Sequence, residues 1–233
     1  MRLCIALDLP SRQENITLVQ EAKGFEEVWL KVGLRSFIRD GIPFLQEIKQ
    51  IDSSFRIFLD LKLYDIPNTM ADAAYEVACL DIVDMLSVHS SSGALGMNAV
   101  MDRLKPLSRR PLIFAISVLT SFDEAEFATI YGQGGISSRV EEMARLAALS
   151  GVDGMVCSVF ESLKIKTQID SSFLTLTPGI RPFNEGIDDQ KRVGCLADAK
   201  NARSDFIVVG RPIYKTPNPR QKIEQILKTI EKL

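Results

Sequence analysis

A chain of 233 residues, 46% of them hydrophobic, has ample material for a core and suits one large α/β domain or two small ones. Its formal net charge of −2 gives no general attraction to nucleic acid, and no apolar run approaches the roughly 20 residues of a membrane span. Cys4, Cys79, Cys157 and Cys195 lie far apart without a C-x-x-C pair, and there is one histidine, so free, mostly buried thiols are expected and no metal site is indicated. The opening residues, Met1 to Asp8, carry no signal-peptide cleavage pattern and read as a strand, so the expected location is cytoplasmic.

Short apolar runs then alternate with amphipathic segments. Run 3–7 precedes a helix opened by Pro10-Ser11 and closed by Lys23-Gly24. Run 28–32 leads to a helix over 36–51, and run 56–61 to one from Pro67 to about Cys79. Run 85–88 precedes a helix over 94–104. Run 112–118 precedes the longest connection, 120–135, which carries a short helix near 124–131. A helix over 138–150 follows, with Gly151 as its C-terminal cap. Run 154–157 has a shorter helical pattern after it near Glu161. Run 173–177 leads into Pro178-Gly179-Ile180-Arg181-Pro182-Phe183-Asn184-Glu185-Gly186, whose glycines, prolines and polar residues make it a candidate lid. A helical pattern over 188–202, run 206–209 and a helix over 219–233 complete the chain.

Eight strand–helix units predict an α/β fold, a single closed (β/α)8 TIM barrel spanning 1–233 as one catalytic domain. A doubly wound open sheet is the alternative, but it usually has fewer strands and a Gly-rich first turn, which Leu7-Asp8-Leu9-Pro10 is not. No linker, low-complexity tract or residue-level repeat is visible.

The stretch from Ile57 to Met70 draws the chemistry together. Side chains on a strand alternate faces, so Phe58, Asp60 and Lys62 share one side. Asp65 follows, giving carboxylate, ammonium, carboxylate within six residues. Taken alone, this also describes an edge strand with its polar face in water. Other polar residues decide between the two. Asp8 ends the first strand, Lys31 the second, Ser87-Val88-His89 the fourth and Thr120 the fifth. Arg181 follows the seventh, and Gly210-Arg211 the eighth. In a barrel all of these converge at one mouth. There Asp8, Lys31, Asp60, Lys62 and Asp65 are expected to form an alternating charge network, lysines raised and carboxylates lowered in pKa. A lone buried charge would cost several kcal/mol, roughly, so mutual pairing is the stable arrangement. Gly210-Arg211 and Gly179-Ile180-Arg181 suit phosphate, although solvated turn residues would look the same. His89 is read as structural, because Lys62 already offers an exchangeable proton.

Asp60-x-Lys62-x-x-Asp65-Ile66-Pro67-x-Thr69 resembles the signature of the orotidine 5′-phosphate decarboxylase family. The resemblance spans the chain through Ala6-Leu7-Asp8, Leu30-Lys31-Val32-Gly33, Leu119-Thr120-Ser121, Pro178-Gly179-Ile180-Arg181 and Val209-Gly210-Arg211-Pro212-Ile213. It implies cofactor-free, metal-free decarboxylation of orotidine 5′-monophosphate to UMP, the last step of de novo pyrimidine synthesis. Lys62 is then the proton donor, with Asp60, Asp65 and Lys31 as the other catalytic residues. Asp8, Lys31 and the stretch from Asp60 through Ile66 to Thr69 would hold ribose and ring. Thr120 and Gln190 would contact the pyrimidine or bridge to phosphate, and Arg181, Gly210 and Arg211 the phosphate region. It further implies a homodimer whose sites are completed by Asp65 and Thr69 of the partner subunit. Two rivals stay open. One is a Mg2+-dependent sugar-phosphate decarboxylase or aldolase of the same superfamily, with an acid where this chain has Lys31 and no Ile66-Pro67-x-Thr69. The other is a non-catalytic nucleotide-binding barrel.

Overall fold

The computed structural model describes residues 1–183 and 192–233. In chain order it runs β1 (Arg2–Ala6), α1 (Arg12–Ala22), β2 (Trp29–Gly33), α2 (Leu34–Ile51), β3 (Arg56–Leu63), α3 (Pro67–Cys79) and β4 (Met85–His89). Then come a 3-10 turn (Ser90–Ser92), α4 (Gly93–Leu104), β5 (Leu112–Ile116), α5 (Glu124–Tyr131), α6 (Ile136–Leu149), β6 (Gly154–Val156) and α7 (Val159–Gln168). The chain finishes with β7 (Leu174–Thr177), α8 (Leu196–Asn201), β8 (Phe206–Val209), α9 (Arg211–Tyr214) and α10 (Pro219–Lys232). The eight parallel strands close as β1-β2-β3-β4-β5-β6-β7-β8, with β1 paired back to β8. This is the closed barrel expected, not an open sheet.

Local chemistry explains the boundaries. Ser11 caps α1 through a reciprocal pair with Glu14, and Pro67 starts α3 where its missing N–H costs nothing. Helix α2 is kinked at Gly41, whose φ of 61° is in the left-handed region. Two short pieces were not anticipated, the 3-10 turn and α9. The helical pattern expected over 188–202 is in part outside the described residues, and what is described is α8.

Strand alternation divides the core into two shells. Cys4, Trp29, Phe58, Met85, Phe114, Leu176 and Phe206 fill the inside of the barrel. Phe206 meets Trp29 and Phe114 edge-on at 5.1 and 5.8 Å. The opposite strand faces, including Ile5, Leu30, Leu59 and Leu86, pack under the helices against Val19, Phe44, Ile48 and Ile223. A Cβ on Gly154 would sit 2.5 Å from the Leu174 carbonyl oxygen, so β6 and β7 approach closely only because that residue has no side chain.

The N-terminal rim contains a repetition that the sequence reading did not find. Asp84, Asp153 and Asp205 immediately precede β4, β6 and β8. Each carboxylate accepts the main-chain N–H of the preceding strand's Ile57, Ile113 or Thr175, at 3.0, 2.7 and 2.7 Å. Each main chain also spans its two neighbours. Asp84 donates to the Ile57 carbonyl and accepts from the Leu112 N–H, while Asp205 donates to Thr175 and accepts from the Arg2 N–H. Cations sit on the outer side. Lys49, Arg56 and Arg109 share Asp84, Arg110 holds Asp153, and Lys166 holds Asp205. No helix among the described residues is long and apolar enough to cross a membrane.

Candidate active site

At the other end of the strands lies a cavity of ≈ 330 Å³ whose walls include Asp8, Lys31, Asp60, Lys62, Thr120, Arg181, Gly210 and Arg211. The interior faces of the strands thus run from an aromatic floor to a charged mouth.

Strand β3 does not deliver Asp60 and Lys62 by the simple alternation expected. Its pairing with β4 jumps from Leu59 opposite Leu86 to Leu63 opposite Val88, so four steps on β3 span two on β4. Within that bulge Lys62 has φ 54°, left-handed backbone on a residue with a side chain. Such a conformation costs of order 1–3 kcal/mol and persists where surroundings enforce it. Here the Lys62 N–H donates to Ser87 Oγ at 2.9 Å, and Ser87 Oγ donates to Asp60 Oδ1 at 2.9 Å.

Both ammoniums face one oxygen. Lys62 Nζ is 2.9 Å and Lys31 Nζ 3.7 Å from Asp60 Oδ2, while Lys31 Nζ is also 3.2 Å from Asp8 Oδ1. Asp60 is 8% exposed. Burial opposes its charged form, but Lys31, Lys62 and the Ser87 hydroxyl outweigh burial and hold its pKa below the ordinary carboxylate value. Burial likewise opposes the charge on Lys31, and Asp60 and Asp8 reverse that, raising its pKa. The row therefore runs Asp8, Lys31, Asp60, Lys62.

Asp65 does not extend it within this chain. Its carboxylate accepts the N–H of Ile66 at 2.7 Å, and Asp65, Ile66 and Thr69 are exposed and stand outside the cavity wall. The chain turns outward between Leu63 and Pro67, so closeness in sequence did not become closeness in space. Gln190 lies outside the described residues, as does much of the candidate lid.

His89 is not part of the cavity wall. Its Nδ1 accepts the Ser91 N–H at 3.1 Å and its ring stacks on Tyr64. Burial, then the Lys62 charge, push its pKa down. Of the cysteines, Cys4 and Cys157 are buried, Cys195 is half-buried and Cys79 is exposed; all four are free thiols. Cys157 reaches the cavity, but burial drives its pKa up and disfavours thiolate. Among the described residues no three His, Cys, Asp or Glu side chains are arranged to hold a metal ion.

Sequence reasoning passed over Ser87 as a working residue, although it named the residue, because nothing local shows that its hydroxyl meets β3. It also passed over Tyr214, which lines the cavity from α9. Pro212, inside the first turn of α9, was the available signal for that helix.

The model of the family described as "Orotidine 5'-phosphate decarboxylase / HUMPS family" matches residues 1–226. A protein of Wolinella succinogenes named orotidine 5′-phosphate decarboxylase is 57% identical over 230 residues, 99% of this chain and 100% of that one. One of the same name from Campylobacter lari is 54% identical over 231 residues, again 99% and 100% of the two chains. Among solved structures, orotidine 5′-phosphate decarboxylase from Lactobacillus acidophilus superposes with a TM-score of 0.85 at 30% identity, covering 98% of each chain. Barrel, charged mouth and full-length similarity agree: this chain belongs to the orotidine 5′-phosphate decarboxylase / HUMPS family.

Proposed function

We propose that this chain converts orotidine 5′-monophosphate to UMP and CO2, the last step of de novo pyrimidine synthesis, and does so without a cofactor. The observation that carries the chemistry is the Asp60 carboxylate oxygen shared by two ammoniums at the barrel mouth. When the C6–carboxylate bond breaks, CO2 departs and the electron pair stays on C6. Lys62, fixed by Asp60 and by its own backbone bond to Ser87, stabilises that pair and then transfers its proton to C6. Solvent reprotonates the resulting amine. Asp8 and Lys31 hold the ribose and ring, Thr120 contacts the ring or bridges to the phosphate, and Arg181, Gly210 and Arg211 hold the phosphate region. Gln190 is assigned to the ring or phosphate on the family resemblance alone. Phosphate contacts contribute to the chemical step by aligning the ring against Lys62.

The working unit in this reading is a homodimer of single-domain chains. Asp65 is exposed between Tyr64, 64% exposed, and Ile66, 67% exposed, and Leu95 is 76% exposed. Apolar side chains this open beside a reaction centre suit burial against a second copy. Asp65 of the partner subunit then stands near the leaving carboxylate, where like charges favour release of CO2, and Thr69 enters with it. An ultraviolet assay of orotidine 5′-monophosphate loss tests the activity, and no loss overturns it. EDTA sensitivity in that assay would point instead to the Mg2+-dependent relatives. Mixing Lys62→Ala with Asp65→Ala subunits is expected to restore activity, because one hybrid site keeps both residues. Failure to recover any would count against shared sites.

A further inference from the structure

Beyond the mouth of the barrel, the β5 connection is held by a residue from the other side of the site. Strand β5 ends at Ile116, and Ser117 makes the last bonds to the sheet, donating to the Val156 carbonyl through both N–H and hydroxyl. The next four residues, Val118 to Ser121, all line the cavity. Their carbonyls have left the strand ladder and need other donors.

The Phe122 N–H serves Leu119, and Arg192 serves both Val118 and Leu119. One edge of its guanidinium donates to the carbonyls of Val118 and Leu119, at 3.0 and 3.4 Å. The other edge is ion-paired with Glu161, a side chain 7% exposed. Glu161 is itself fixed, because its carboxylate also accepts the Ser158 N–H at 2.8 Å in the reciprocal cap that opens α7. The Arg192 side chain is 14% exposed, is not part of the cavity wall, and leaves its Nε without a partner among the described residues. A half-buried cation with an unsatisfied donor is an expensive way to tether a surface connection. A planar fork is what reaches a carboxylate on one side and two carbonyls on the other; a lysine cannot.

We propose that Arg192, held by Glu161, is a positioning residue that sets the height of Val118 to Ser121, and so of Thr120, over the bound ring. Its kinetic consequences rest on the decarboxylase reading; its effect on the backbone does not. Arg192→Lys keeps a charge opposite Glu161 but loses the fork. It is expected to lower kcat/KM for orotidine 5′-monophosphate by about 10- to 100-fold, with an unchanged melting temperature. Amide exchange at 118–121 should rise in the same variant, with or without ligand. In Arg192→Ala, guanidinium at sub-denaturing concentration should recover part of kcat/KM, which a general loss of stability would not allow. If Arg192→Ala does not fold, Glu161→Gln should show the same rise in exchange in weaker form. Unchanged exchange at 118–121 in Arg192→Lys, or unchanged kcat/KM despite raised exchange, overturns the proposal. Wild-type chain that fails to consume the substrate overturns the decarboxylase reading instead, and leaves the exchange result to decide the tether.

Discussion

At the N-terminal rim, Asp84, Asp153 and Asp205 each accept a main-chain N–H from the neighbouring strand and face a cation on the outer side. At the C-terminal rim, Asp60 accepts from the Lys62 ammonium and the Ser87 hydroxyl and is ion-paired with Lys31, all side chains, inside the ring of strands. Both ends place carboxylates at strand ends and pair them with cations. The difference is what each carboxylate is tied to. The lower ones bond to the backbone itself, so they lock the relative positions of adjacent strands. The upper one bonds only to side chains, and its lysine neighbour Lys62 sits on backbone in the left-handed region. Loss of a lower aspartate should therefore be felt by the fold, and loss of an upper charge by the reaction.

The strongest way to break this contrast is Lys62→Ala. Combining proton transfer with charge stabilisation, turnover should fall by about 10⁴-fold or more, while UMP still binds and the melting temperature holds or rises. Near-normal turnover would remove Lys62 from its role. Arg211→Ala comes next. Losing a charge-assisted contact of roughly 1.5–3 kcal/mol should raise KM and lower kcat/KM by about 10- to 100-fold; unchanged kinetics would move the phosphate elsewhere. Asp84→Ala tests the lower rim. It should cost about 3 kcal/mol, read as a fall of about 6–12 °C in Tm, with kcat/KM of the folded enzyme unaltered. A large kinetic effect there would erase the division of labour.

The smallest effect is on pH. Asp60 titrates below its ordinary value, so its stabilisation is complete above about pH 3.9 and disappears as pH falls through its lowered pKa. Lys31 titrates above its ordinary value, so its stabilisation is complete below about pH 10.4 and disappears as pH rises through its raised pKa. Across the neutral range Asp60 and Lys31 should contribute a constant amount. His89 differs: pushed below about 6.5, it stabilises the fold above that pH and ceases to as pH falls through its lowered pKa. Urea midpoints of wild type and His89→Gln from pH 7 to pH 5 should diverge by that slope alone. Parallel curves would assign the slope to other groups.

Much of the fold was legible because parallel strands buried on both faces read as plain apolar runs, and the eight runs coincide with β1 to β8 within one or two residues at each end. The mouth residues were legible because each lies near or just past the end of such a run. The bulge at Lys62 was not, since nothing in a lysine marks positive φ. The direction of Asp65 depends on how the chain turns before Pro67, which alternation cannot supply. Glu161 did advertise itself through Ser158-x-x-Glu161, a capping pattern, but its contact with Arg192 spans 31 residues and has no local trace. The lower-rim aspartates are visible afterwards in Val83-Asp84-Met85, Val152-Asp153-Gly154 and Ser204-Asp205-Phe206, a repeat of one residue type that similarity of whole segments does not detect.

The seam between β1 and β8 has a consequence for biosynthesis. The Arg2 N–H is received by the Asp205 carbonyl, so β1, which is synthesised before β8, waits for it before its second edge is covered. Until then an emerging chain offers an open apolar edge, a template for pairing with other chains. Slowing translation downstream of β7 would prolong that exposure, and mishandled nascent chains should therefore cross-pair through β1 more than through any interior strand.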